Sequence, residues 1–266
     1  MDKTEIFETA AQMADTARST TLALFRSDGV GLSNKSASGF DPVTKADRDC
    51  EQAMRDILAR RRPGDAILGE EFGPSPGNSG LEWVLDPIDG TRAFISGAPS
   101  WGVLIALRDG SGPIYGIIDQ PYIGERFEGG LGRAVMTGPH GSRPLGVRRS
   151  AALGEAILLS TFPEIGTRAE AEAFGRVASK VRLTRYGLDC YAYALLAMGQ
   201  VDLVIEAGLQ AYDIAAPIAV IEAAGGIVTN WQGGRADGGG QVLAAATPDL
   251  HRAAMALLAG PANRDA

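Results

Sequence analysis

The run Trp83-Val84-Leu85-Asp86-Pro87-Ile88-Asp89-Gly90-Thr91 ends an apolar stretch in two carboxylates, a glycine and a hydroxyl. Asp86 and Asp89 straddle a proline that fixes the backbone between them, so both acids can converge on one point instead of facing opposite sides as strand neighbours would. Gly90 and Thr91 add backbone N–H groups and a hydroxyl, a combination suited to an anionic oxygen ligand. A divalent cation holding a phosphate is the chemistry this spacing allows. Related groups recur elsewhere in the chain. Gly69-Glu70-Glu71 follows the apolar Ala66-Ile67-Leu68, Tyr212-Asp213-Ile214-Ala215-Ala216-Pro217 sets an acid at a helix start, and Asp41-Pro42-Val43-Thr44-Lys45-Ala46-Asp47 leads into another helix. Each has a plainer reading: adjacent glutamates decorate surfaces, and an Asp at a helix start caps it. Taken together, Glu70, Asp86, Asp89 and Asp213 all fall at element ends. Gathered in one cleft they would repel by roughly 3 kcal/mol per pair at about 5 Å and an effective dielectric near 20, a cost that hard cations remove. Oxygen donors without His or Cys favour Mg²⁺ or Mn²⁺ over Zn²⁺.

The elements that must position these groups are readable from periodicity. Ile6, Ala10, Met13, Ala17 and Leu24 recur at helical spacing from Thr4 to Arg26, and Gly29 to Gly39 reads as a loop. A second helix carries the stripe Ala46, Cys50, Met54, Ile57 and Leu58 and stops at Arg60-Arg61-Arg62-Pro63-Gly64, basic residues that complement its dipole. Strands are expected at Ala66 to Leu68, Trp83 to Leu85, Trp101 to Arg108, Ile114 to Asp119 and Arg126 to Glu128, a mixed or antiparallel sheet behind two helices. After about Arg148 strands (Ala156 to Ser160, Val181 to Arg185, Val201 to Ile205, Gly226 to Thr229, Val242 to Ala246) alternate with helices (Arg168 to Ser179, Cys190 to Met198, Ile214 to Ala224, Pro248 to Leu258), which predicts a second, α/β layer with a mostly parallel sheet. The chain of 266 residues divides on this reading into an N-terminal α+β lobe, 1–147, with most metal ligands, and a C-terminal α/β lobe, 148–266, with Asp213 and the specificity residues.

Composition and spacing exclude several chemistries. A net charge of -7 argues against a surface for nucleic acid or other polyanions. No run of about 18 apolar residues is present, and the first residues lack a basic, then apolar, leader, so a cytoplasmic protein is expected. Cys50 and Cys190 form no Cys-x-x-Cys pair and read as reduced structural thiols, and His140 and His251 sit in no zinc or triad pattern. An aspartyl-phosphate phosphatase needs Asp-x-Asp-Gly-Thr, whereas here the acids are three apart with Pro87 between. A Cys-phosphatase loop needs Arg six residues after Cys, but Asp56 and Leu196 stand there.

In this combination the sequence resembles the inositol monophosphatase superfamily of Mg²⁺-dependent, lithium-sensitive phosphatases. The marks are Gly69-Glu70-Glu71, the Asp86-to-Thr91 motif, Asp213 at a helix start and Glu222-Ala223-Ala224-Gly225-Gly226, in order over nearly the whole chain. It looks most like the histidinol-phosphatase branch, through Phe94-Ile95-Ser96-Gly97, Gly116-Ile117-Ile118-Asp119-Gln120-Pro121 and Asp189-Cys190-Tyr191-Ala192-Tyr193-Ala194. The resemblance implies a layered αβαβα sandwich with the site between the lobes, and commonly a homodimer. It implies that Glu70, Asp86 and the Ile88 carbonyl hold one metal and that Asp86, Asp89 and Asp213 hold a second, with Glu70 assisting a weaker third. A water oriented by Thr91 and Asp47 would attack phosphorus in line, and Asp89, Gly90 and Thr91 would meet the phosphate.

Specificity must then come from groups that reach the alcohol portion. Asp189 and Glu206 suit a cationic amine or imidazole, as in L-histidinol phosphate, and Asp213 borders the same space. Glu206 equally suits hydroxyls, as in an inositol 1-phosphate or a broader sugar or nucleotide monoester. Arg185 is a candidate to orient Asp189 by a charge-assisted hydrogen bond, with a surface role as the alternative. Leu188 stands where relatives carry a smaller or polar residue, which leaves pocket shape open there. A non-catalytic phosphate-binding protein would be expected to lack the water-orienting pair, and both Thr91 and Asp47 are present.

Overall fold

Ile6, Ala10, Met13, Ala14 and Ala17 form one fully buried stripe on helix α1 (Lys3–Leu24), and Ala46, Cys50, Met54, Ile57 and Leu58 form another on α2 (Lys45–Arg61). Both stripes lie against one face of the first sheet, on Trp83, Leu85, Val103, Ile105, Leu107, Tyr115 and Ile117. The computed structural model describes residues 1–27, 33–34, 42–149 and 152–260. The loop expected from Gly29 to Gly39, apart from the short strand at 33–34, and Asp41 lie outside the described residues.

Two short strands, β1 (Ser33–Asn34) and β2 (Pro42–Val43), pair with each other. The first sheet contains β3 (Ala66–Gly69), β4 (Gly73–Ser75), β5 (Glu82–Asp89), β6 (Gly102–Asp109), β7 (Gly112–Gln120), β8 (Glu125–Gly130), β9 (Arg133–Gly138) and β10 (Gly141–Pro144), with α3 (Thr91–Ser96) following β5. Its order is β10-β9-β8-β7-β6-β5-β3-β4, and β3 and β5 are its one parallel pair. The second sheet comprises β11 (Ile157–Ser160), β12 (Leu183–Tyr186), β13 (Leu203–Leu209), β14 (Ile227–Thr229) and β15 (Gly240–Ala245), in the order β12-β11-β13-β15-β14. Four helices accompany it: α4 (Arg168–Ala178), α5 (Tyr191–Ala197), α6 (Ala211–Ala223) and α7 (Pro248–Ala259).

The expected layering is present. The inner faces of both sheets, through Val84, Leu104 and Ile118 on one side and Leu159, Val204 and Ala244 on the other, enclose α5 and α6 in a shared core. Helices α4 and α7 cover the far face of the second sheet. Helix α6 approaches the first sheet so closely that a Cβ at Gly116 would stand 2.6 Å from the Ala216 carbonyl oxygen. The second sheet is mixed rather than mostly parallel: β11 runs parallel to β12 and β13, but β15 is antiparallel to both β13 and β14. Strand–helix alternation holds as far as β14. No helix separates β14 from β15, so β15 returns antiparallel and inserts between the two strands that α6 connects. Two of the three arginines at the stop of α2 tie its end to α1, Arg61 binding Glu8 at 2.9 Å and Arg62 binding Glu5 at 2.8 Å, while Arg60 is exposed. No helix among the described residues is long and apolar enough to cross a membrane.

Candidate active site

Asp86 and Asp89 lie within β5 itself, which runs past Leu85 to Asp89. In a regular strand, residues three apart face opposite sides. A register shift against β6 between Asp86 and Asp89 adds an extra residue there, and the acids come to the same side. Strand β3 lies parallel to β5 with Gly69 opposite Leu85, and the Glu70 N–H donates to the Leu85 carbonyl at 3.1 Å, which sets Glu70 beside Asp86. From the second half of the chain, Asp213 enters in the first turn of α6, where Gln210 is the N-cap residue and its N–H donates to Asp213 Oδ2 at 2.7 Å.

One carboxylate oxygen from each of Asp86, Asp89 and Asp213 falls within 4.8 Å of the others. Burial, and then the charges of Glu70, Asp89 and Asp213, push the Asp86 carboxyl well above the usual carboxylate range, and Glu70 also hydrogen-bonds it. Asp89 is pushed the same way by burial and by the charges of Asp189 and Asp213, although the Cys190 N–H donates to its Oδ2 at 2.5 Å. Such repulsion among acids fixed by backbone bonds would be relieved by a cation placed among them. The three carboxylates offer hard oxygen donors, which fit a hard divalent cation.

Asp47 is fully buried in the first turn of α2, where the Thr44 N–H and hydroxyl both donate to its Oδ2, at 2.8 and 2.5 Å. Its Oδ1 is buried and accepts no hydrogen bond among the described residues, and burial raises its pKa to about 6, with a smaller contribution from Glu70. Capping thus occupies only one oxygen of this carboxylate. Thr91 begins α3 and donates its hydroxyl to the Ile88 carbonyl at 3.2 Å. Gly90, just before it, has φ +87°, a conformation that favours glycine, and a Cβ there would stand 2.7 Å from Asp189 Cγ.

A cleft of about 310 Å³ opens beside the acids, lined among others by Gly90, Arg92, Phe162, Asp189 and Glu206. Glu206 is buried at the cleft wall; the Thr161 N–H and hydroxyl donate to its Oε1 at 2.6 and 2.9 Å, and burial pushes its pKa up to about 7. Asp189, with its pKa raised by burial, accepts from Ser100 Oγ at 3.1 Å and feels the favourable charge of Arg92. Arg185 is not brought to the cleft. It sits exposed on the edge strand β12, and Ser100 and Arg92 act on Asp189 instead. Leu188 packs against the central core and does not line the cleft.

Sequence reasoning missed Ser100, Arg92 and the Thr161–Phe162 pair, and it also missed Glu51. Glu51 is fully buried on α2 and accepts from Arg55 at 2.7 Å and from the Glu71 N–H at 2.7 Å, so it clamps the turn that carries Glu70. An acid at a buried position of a helix stripe, four residues before an arginine, was the signal available for it.

The layers and the acid cluster define a two-sheet α+β protein whose joint can hold a hard cation beside a small-ligand cleft. The model of the inositol monophosphatase family matches residues 2–263, and the chain belongs to that family as one of its phosphatases. It is 37% identical over 242 residues to the histidinol-phosphatase of Mycobacterium tuberculosis, covering 88% of this chain and 91% of that one. It is 46% identical over 198 residues to the chloroplastic bifunctional phosphatase IMPL2 of Arabidopsis thaliana, covering 74% of this chain but only 56% of that protein. A solved inositol monophosphatase from Zymomonas mobilis superposes with a TM-score of 0.85 at 38% identity, covering 97% of this chain and 99% of that one.

Proposed function

We propose that this phosphatase hydrolyses L-histidinol phosphate to L-histidinol and phosphate, a step of histidine biosynthesis, with Mg²⁺ as cofactor and Mn²⁺ as a substitute. The observation that carries this reading is the pair Asp189 and Glu206, two acids outside the Asp86–Asp89–Asp213 cluster that share its cleft. The cluster and the Gly90–Thr91 turn then serve a phosphate, and the adjoining Asp189 and Glu206 a cationic alcohol portion. A cleft of about 310 Å³ suits a small monoester.

In this reading Glu70, Asp86 and the Ile88 carbonyl hold one ion, and Asp86, Asp89 and Asp213 hold a second, with Glu70 able to assist a third. When bound, such ions offset the phosphate charge and lower the pKa of water toward neutrality. The chain's own groups do the rest. Backbone N–H groups of Gly90 and Thr91 receive phosphate oxygens. The Thr91 hydroxyl, anchored on the Ile88 carbonyl, aligns the attacking water, and Asp47, with a spare oxygen and a pKa of about 6, takes up its proton. Asp189 and Glu206 receive the amine and imidazole of the substrate. A cytoplasmic setting and, on the resemblance alone, a homodimer are part of the proposal.

The second reading is an inositol-1-monophosphatase, or a broader sugar or nucleotide monophosphatase. It is supported by the likeness to the Zymomonas mobilis structure and by Glu206, which near pH 7 can both donate to and accept from hydroxyls. Steady-state turnover of the two esters with Mg²⁺, by wild type and by Asp189→Asn, separates them. The proposal expects the substitution to raise KM for histidinol phosphate far more than for inositol 1-phosphate. Equal effects on both would remove Asp189 from the role.

A further inference from the structure

Cys190 joins the two halves of the molecule at the site, and its thiol is the part that no role above uses. The residue is 2% exposed and sits at the start of α5, with its Sγ in a socket on the first sheet. The socket exists because residue 102 is glycine. A Cβ there would stand 2.6 Å from Cys190 Sγ, 2.8 Å from Gln120 Nε2 and 2.9 Å from the Asp119 carbonyl oxygen. Gln120, fully buried at the end of β7, donates to Cys190 Sγ at 3.6 Å and to the Ser100 carbonyl at 3.4 Å.

Two functional groups hang on this plug. The Cys190 N–H donates to Asp89 Oδ2 at 2.5 Å, so the backbone of the second half orients an acid of the cluster. Asp189, one residue earlier, has φ +47°, a left-handed conformation that is unfavourable for a residue with a Cβ and must be held by its surroundings. In that conformation its carboxylate receives Ser100 Oγ and lies against Gly90. We propose that Cys190 is a positioning residue. Its thiol, seated between Gly102 and Gln120, fixes the 189–190 turn so that one anchor sets both the orientation of Asp89 and the place of Asp189 toward substrate. The Asp89 arm depends only on the acid cluster, whereas the Asp189 arm rests on the proposed substrate.

The test combines Gly102→Ala, Cys190→Ala and the double variant, read by calorimetric titration of the apoprotein with Mn²⁺ and by KM for histidinol phosphate. Gly102→Ala must move the turn by about 0.8 Å to restore ordinary contact, a displacement large enough to matter in a reacting site. Groups that orient metal ligands typically cost about tenfold or more in metal affinity when disturbed. The expected result is therefore about a tenfold weaker Mn²⁺ affinity together with a raised KM. Removing the sulfur in the double variant should recover part of both, because the contacts of the new Cβ with Gln120 Nε2 at 2.8 Å and the Asp119 carbonyl oxygen at 2.9 Å remain. If Gly102→Ala does not fold, Cys190→Ala alone must still weaken Mn²⁺ binding, because it keeps the N–H but empties the socket. Mn²⁺ affinity and KM both within about twofold of wild type, with only the melting temperature lowered, would reduce the thiol to packing and overturn the proposal. Preference of the wild type for inositol 1-phosphate would defeat the proposed substrate and leave the Mn²⁺ readout intact.

Discussion

Asp86→Asn is expected to stabilise the metal-free protein while silencing it. The residue is 2% exposed, Glu70 hydrogen-bonds it, and one oxygen each of Asp89 and Asp213 lies within 4.8 Å of one of its own. At that separation each ionised pair costs at least about 3.5 kcal/mol at an effective dielectric near 20. The protein escapes part of this cost by retaining protons, which is what the raised carboxyls of Asp86 and Asp89 express. The net gain from the neutral amide is accordingly smaller, about 1–2 kcal/mol, or about 2–8 °C in Tm for a chain of this size. The pH dependence has a definite sign. A carboxyl raised in the folded state contributes stability that is fully present below its unfolded pKa and is lost as pH rises through the folded value. The wild type without metal should therefore weaken from the ordinary carboxylate range upward, and the advantage of Asp86→Asn should grow with pH. Thermal unfolding in EDTA at pH 5 and pH 8, repeated with saturating Mg²⁺, reads this directly, because ligand binding stabilises the wild type by mass action and reverses the ranking. Phosphatase activity should fall by about a thousandfold, as a ligand shared by two ions is weakened. A variant less stable than wild type in EDTA at pH 8, or one that retains activity within about tenfold, would refute the assignment of Asp86.

Further expectations concern the cleft and its supports. Because Glu206 titrates at about 7, kcat/KM for histidinol phosphate should fall as pH drops below that value and the acid loses its charge; Glu206→Gln should abolish that limb, and a persisting limb would exclude Glu206 from substrate binding. A separate limb in kcat near pH 6 belongs to Asp47 and should vanish in Asp47→Asn. Glu51→Ala breaks a buried ion pair with Arg55 and strands the N–H groups of Glu71 and Phe72, so urea unfolding should report a loss of about 3 kcal/mol. Arg92 lies over the Phe162 ring with 5.1 Å to the centroid, bridging the cleft mouth; a double-mutant cycle of Arg92→Ala and Phe162→Ala should give a coupling of about 0.5–1 kcal/mol in thermal unfolding, and additivity would show that the pair is not formed.

The apolar parts of the fold were legible because burial follows periodicity. Every residue of the stripe from Ala46 to Leu58 is buried, and α4, α6 and α7 begin or end within a few residues of their expected bounds. Strands β9 and β10 were not foreseen. Gly141–Pro144 is exposed throughout, and Arg133–Gly138 has a single fully buried residue, so neither carries an apolar signal. The Asp86–Asp89 convergence was foreseen as a proline turn, but the structure reaches it through a bulge inside a longer strand. A bulge is a property of pairing with β6 and leaves no mark in β5 alone. Arg185 was misjudged for a related reason: nearness in sequence to Asp189 stood in for nearness in space, whereas Ser100, 89 residues away, makes the contact. Glu51 was passed over because the helix stripe was read for apolar residues, and a buried acid interrupts that pattern.

Selection of a cationic alcohol by the acid-lined cleft can be read from competition, with L-histidinol phosphate and inositol 1-phosphate mixed at equal concentration with Mg²⁺ and the two released alcohols quantified together. The ratio of initial rates is the ratio of kcat/KM values, independent of enzyme concentration. Histidinol should be released in large excess, and Asp189→Asn should narrow the excess by slowing histidinol release alone. Equal release, or an excess of inositol, would contradict that selection.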